Sequence, residues 1–201
     1  MGADPFYLSL RTTLVGGCAF GLRMVTQKLF LVFTILLLGC GGTVVADNLT
    51  TSGNWTYFAD TVMGGKSSGA AERVNVNGRS AIKLTGNVTT ENNGGFIQVR
   101  RAIAVGQESD FEGLSFETKG NGEIYYIHIR NGSSRLPWQY YSASFRTSEN
   151  WETIKIPFSD FQRSGSFMAK SLKKKTINSI GLVAYGKDHQ ALVLISNLLF
   201  Y

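Results

Sequence analysis

From residue 54 to the C-terminus the chain runs in short apolar–polar alternations, broken every ten or so residues by Gly, Asn or Ser. This period of two limits the available folds more than any other feature, because it puts successive side chains on opposite faces of an extended strand. Strands are expected at 80–86, 95–101, 113–119, 123–130, 139–145, 151–157, 177–184 and 191–201. An aromatic strand start at Trp55 and the alternation over 70–76 precede them. The segments 92–95 (Asn-Asn-Gly-Gly), 120–122 (Gly-Asn-Gly) and 131–132 (Asn-Gly) supply residues that tolerate left-handed backbone between strands. Short helical turns are expected at 159–161 and near 167–172. Many short strands at regular spacing, with no repeat, heptad or low-complexity segment, predict an all-β fold, a β-sandwich.

The first 46 residues read differently. Residues 29–38 are almost unbroken apolar sequence behind Arg23 and Lys28, the layout of a signal peptide. Two exits from the run are visible. Val44-Val45-Ala46 offers a cleavage site before Asp47, and Leu37-Leu38-Gly39-Cys40 resembles a lipobox with Cys40 as the lipidated residue. As a third fate, the 18 residues 29–46 sit at the short edge of an uncleaved membrane anchor. Met24 is an alternative start that would leave a short basic leader. These signals predict export, periplasmic, secreted or membrane-anchored, with a mitochondrial address as the alternative. The mature part, 47–201, is expected to be one domain that is monomeric and meets the membrane only through the leader.

Cys18 and Cys40 both precede residue 47, so the domain has no disulfide and no thiolate zinc site. Removing the leader deletes Arg11, Arg23, Lys28 and Asp4 and leaves 17 basic and 13 acidic side chains. That mild balance, with its densest cluster at Lys173-Lys174-Lys175, makes no demand for nucleic acid.

Residues 55–69 join the first strand to a turn crowded with glycine at Gly64, Gly65 and Gly69. Gly65-Lys66-Ser67 matches the end of a phosphate-binding loop. The glycine required five positions earlier is Asp60, however, and a strand pattern follows where a helix must begin. Asp60 is instead expected to accept backbone amides of its own turn, and Trp55 and Phe58 are expected in the core. The candidate binding loops are Asp60, Met63, Gly64, Gly65, Lys66, Ser67 and Ser68, with Asn92, Asn93 and Gly94 from the second Gly-rich turn.

In residues 123–130, alternation places Ile124, Tyr126, His128 and Arg130 on one face and Tyr125, Ile127 and Ile129 on the core face. The polar face, with Arg100 from a neighbouring strand and Trp138 beyond it, is either a solvated sheet surface or a concave ligand platform. Catalysis is not expected. His128 and His189 lie outside any metal-spacing motif, Ser67 and Ser68 have no base partner, and Asp60 with Glu91 would pair only if two distant loops converged. No cofactor or metal is implied.

The blocks 55–69 and 90–100 (Thr-Glu-Asn-Asn-Gly-Gly-Phe-Ile-Gln-Val-Arg) resemble the complex I intermediate-associated protein 30 family. The segments 138–145, 151–158 and 180–187 are similar to it as well, so the resemblance spans nearly all of 54–201. It implies a galactose-binding-like jelly-roll sandwich without enzymatic activity. It also implies a protein-interaction or assembly-factor role, because mitochondrial members are assembly chaperones for NADH:ubiquinone oxidoreductase, and respiratory-complex subunits are the partners that role would bring. The leader departs from the mitochondrial pattern and would carry the domain away from the matrix.

A carbohydrate-binding module of an exported protein is the competing reading, since the fold hosts both. Trp138, Tyr140 and Tyr141 beside Asn131 carry the rings and amide a sugar would need. Tyr140 and Tyr141 must face opposite ways. An exposed Trp138 ring favours sugar and a buried one favours protein. Sequons at Asn48, Asn54, Asn87 and Asn131 matter only in a eukaryotic secretory setting.

Overall fold

The computed structural model describes residues 47–104 and 110–201; the leader, with Met24, Cys40 and both exits, lies outside the described residues. Among the described residues, eleven strands form two antiparallel sheets. β1 (Trp55–Ala59), β4 (Phe96–Ala102), β10 (Ile177–Tyr185), β6 (Ile124–Asn131), β7 (Tyr141–Arg146) and β9 (Gln162–Arg163) make a six-stranded sheet in that order. β2 (Ser68–Val76), β3 (Arg79–Val88), β11 (His189–Phe200), β5 (Gly113–Gly120) and β8 (Glu152–Pro157) make a five-stranded one. This is the all-β sandwich that the alternation predicts.

The core follows from that alternation. Tyr125, Ile127 and Ile129 of β6 and Ile97 and Val99 of β4 are buried with Ile82 and Leu84 of β3, Phe116 of β5 and Val193 and Ile195 of β11. Phe116 meets Phe145 of β7 edge to face at 4.9 Å, joining the two sheets through rings. The Tyr125 hydroxyl bridges the sheets in a second way, donating to Asn121 Oδ1 at 2.8 Å and accepting from Leu192 N of β11 at 2.8 Å. Burial pushes its pKa up to about 12.

Some local expectations need correction. The turn at 159–161 falls at Phe158–Asp160, but 167–172 holds no helix; the helical turn lies at Lys174–Thr176, overlapping the end of the lysine run. β9 has too few residues to show a period. The tight connection from β2 to β3 is Asn77-Gly78, with φ of 53° and 81°, while Asn131 is a buried strand residue. Its burial also removes the Asn131 sequon from the surface. Phe58 is not core: Trp55 and Tyr57 pack against the core, so alternation along β1 turns Phe58 to the opposite face.

Candidate functional site

The outward face of the six-stranded sheet carries a groove of about 630 Å³. Strand register builds its floor in rows. Phe58, Gln98, Val183 and Tyr126 lie side by side across β1, β4, β10 and β6, and Arg100, Gly181 and His128 form the next row. Phe96 and Tyr185 close one end. The Arg100 guanidinium lies over the Phe58 ring at 4.7 Å, and His128 stacks on Tyr140 at 3.9 Å with the planes 13° apart. Burial lowers the pKa of His128 to about 3, so the imidazole is neutral at physiological pH.

One wall is the β6–β7 connection, and Arg130 shapes it. Its guanidinium donates to the carbonyls of Ser134, Leu136 and Pro137 at 2.9, 3.0 and 3.3 Å. Burial, and then the positive charge of Arg100, hold its pKa below the ordinary value. Ser164 pins the next residues, donating from Oγ to Trp138 O at 2.7 Å and accepting from Tyr140 N at 3.1 Å. The Trp138 ring stands 64% exposed on this fixed backbone. Tyr140 lines the groove, whereas Tyr141 is buried and donates to Ala169 O.

The opposite rim comes from the first Gly-rich loop, which one carboxylate ties to the second; Asn92, Asn93 and Gly94 of that second loop do not line the groove. Fully buried Asp60 accepts from Ser67 N at 2.9 Å, Gly95 N at 2.6 Å, Phe96 N at 3.2 Å and the Ser67 hydroxyl. Burial alone would raise its pKa, but these bonds outweigh it and hold the carboxyl below its usual value. A Cβ on Gly65 or Gly94 would run into the Asp60 side chain, so both positions require glycine. Asn92 and Asn93 take φ of 56° and 59°, and Lys66 reaches Glu91 at 2.7 Å.

The sequence-based site residues therefore separate. Asp60 and Ser67 are buried loop organisers and are not available to a partner. Gly64 and Gly65 shape the turn, Ser68 opens β2, and Lys66 is engaged with Glu91 across the converged loops. Of the loop residues, Met63, with Val62, faces the groove; these side chains are 67% and 73% exposed. Arg100, His128, Arg130 and Trp138 share the groove, with Tyr126 on the same face. Asn131 is spent on its own loop, accepting from Ser133 and Ser134. Sequence reasoning missed Phe58, Gln98, Tyr185 and Val183. Extending the alternation through β1, β4 and β10 would have found them.

Chemically, the site offers rings, two guanidiniums and one neutral imidazole. Among the described residues no cluster of three metal-ligating side chains exists, and no helix is long and apolar enough to cross a membrane.

The solved structures most like this sandwich include a family 11 carbohydrate-binding module from Clostridium thermocellum in complex with a β-1,3-1,4-mixed-linked tetrasaccharide. It is 21% identical, with a TM-score of 0.63 over 77% of this chain and 92% of that one. A second, the family 11 module of a cellulosomal cellulase of the same organism, is 18% identical with a TM-score of 0.61 over 78% and 95%. At this identity the likeness speaks for the fold alone. No curated protein matches the chain. The model of complex I intermediate-associated protein 30 matches residues 46–194, across both Gly-rich loops and nearly every strand, and the chain belongs to that family.

Proposed function

We propose that the domain is a non-catalytic binding module of an exported protein, and that the groove on its six-stranded sheet holds an extended oligosaccharide. The observation that carries this reading is the Trp138 ring, exposed on a backbone fixed by Ser164 and by the Arg130-braced loop. An indole held open before the ligand arrives suits stacking on a sugar ring, because little conformational freedom remains to be lost on binding. The sandwich fold is one shared with a carbohydrate-binding module in complex with a β-1,3-1,4-mixed-linked tetrasaccharide.

Family membership supports a second reading, a protein-assembly role towards respiratory-complex subunits. Exposed Val62 and Met63 on the rim are the local features that favour it. A glycan array on the full-length protein, run beside in-cell crosslinking with mass spectrometry, separates the two. The oligosaccharide reading expects reproducible glycan hits that Trp138→Ala abolishes. Recovery of respiratory-complex subunits with no glycan hit would refute it. A tagged copy found in the cytoplasm or matrix would refute export.

A further inference from the structure

The groove is electrostatically one-sided. Arg100 and Arg130 both line it, and none of its described lining residues is Asp or Glu. The two cations differ in availability. Arg130 spends donors on three loop carbonyls. The Arg100 side chain makes no hydrogen bond or ion pair among the described residues; its guanidinium carbon lies 4.7 Å from the centre of the Phe58 ring. A contact with a ring face uses none of the guanidinium's five N–H donors, so they remain available to a ligand. A half-exposed cation beside a second one, with no counter-ion in the groove, favours a ligand that brings negative charge. His128, neutral and stacked, adds no third charge.

We infer that the groove selects an acidic polysaccharide, with Arg100 as the fork that receives its carboxylate or sulfate while Trp138 stacks on an adjoining sugar ring. This rests on the oligosaccharide reading above and deepens it. Planar bidentate recognition of an anion by a guanidinium gives both affinity and register, whereas a neutral glucan would leave Arg100 desolvated and unpaired. The rim residues Val62 and Met63 border the same site and carry no charge that would compete.

Calorimetric titration of the full-length protein with three probes of similar length tests this: oligogalacturonate for carboxylate, a sulfated galactan oligomer for sulfate, and a mixed-linked β-glucan oligomer as the neutral control. At least one anionic probe should bind ten times or more tighter than the neutral one. Arg100→Gln should remove about ten- to a hundredfold of that affinity, leave the melting temperature unchanged, and tighten the neutral probe, which no longer leaves a guanidinium unpaired. Arg100→Lys should recover only part, since it restores charge without the fork. Which anionic probe responds to Arg100→Gln identifies the group received. Equal or tighter neutral binding that is indifferent to Arg100→Gln would overturn the anion inference while leaving the oligosaccharide reading standing. No binding of any glycan would sink both, and Arg100-dependent capture of polyglutamate in their place would reassign the groove to acidic protein.

Discussion

Asp60→Asn replaces a carboxylate by an amide of nearly the same shape, so its effect isolates charge and donor pattern from packing. In the native loop Oδ2 accepts from the Ser67 hydroxyl, Gly95 N and Phe96 N, and Oδ1 accepts from Ser67 N. The asparagine oxygen best replaces Oδ2, which turns the amide nitrogen towards Ser67 N, donor against donor. An orphaned buried N–H costs about 1–3 kcal/mol, and the bonds at Oδ2 each lose about 1 kcal/mol of charge assistance. Relief from burying a charge offsets part of this, leaving a net loss of about 3 kcal/mol. For a domain of this size that lowers the melting temperature by about 10 °C at pH 7. The sign with pH is fixed as well. A carboxyl whose folded pKa is depressed contributes stability above its unfolded value, about 3.9, and loses it as pH falls through the folded value. Thermal melts of both proteins from pH 7 to 2.5 should therefore converge at the acid end. A gap under 2 °C at pH 7, or one that does not shrink in acid, would refute the view that this carboxylate ties the two loops together.

Three further outcomes follow from other sites. His128 titrates near 3 when folded and near its ordinary value when unfolded, so the unfolded chain takes up a proton first as pH falls. Stability should decline by about 1–2 kcal/mol between pH 7 and 5, and melts of His128→Phe, which keeps the stack on Tyr140, should lose that slope. Tyr125→Phe leaves the part-buried Leu192 N without its 2.8 Å acceptor and should cost about 1 kcal/mol by urea unfolding; an unchanged midpoint would count against the bridge. Ser164→Ala frees Trp138 O and Tyr140 N without touching either ring. Glycan affinity should fall several-fold by calorimetry while the melting temperature moves by under 2 °C, as expected if loop order and not ring identity was lost.

What could be read from the sequence tracks the range of the physics involved. Alternation is local, so 123–130 assigned Tyr125, Ile127 and Ile129 to the core and His128 and Arg130 to the opposite face before any coordinates, as the burial of β6 bears out. Phe58 departs from the core its aromatic character suggests because it has the opposite parity to Trp55 along β1. The groove itself was only half legible. That Arg100 lies in register with Gly181 and then His128 depends on β10 inserting between β4 and β6, a pairing between segments some 50 to 80 residues apart that no local pattern encodes. The same holds for Asp60. Its acceptance of amides in its own turn was readable, but its bonds to Gly95 and Phe96 needed the loops to converge.

This division also explains why family resemblance identified the fold so readily and the ligand so poorly. The Gly-rich segments that open the resemblance chiefly build the Asp60 clamp: Gly65 and Gly94 make room for its carboxylate, and Ser67, Gly95 and Phe96 bond to it. Apart from Phe96, whose ring closes one end of the groove, those residues hold the rim in place without lining the groove. The side chains that would choose a ligand, Trp138 and Tyr140 on one wall and His128 on the floor, come from β6 and the loop after it, with Arg100 alone among them lying in a Gly-rich block. A sandwich can keep the clamp and change the wall. The binding preference of this chain is accordingly a question for Arg100 and Trp138, and a variant that alters ligand choice while leaving the melting temperature alone should be found there and not among the glycines.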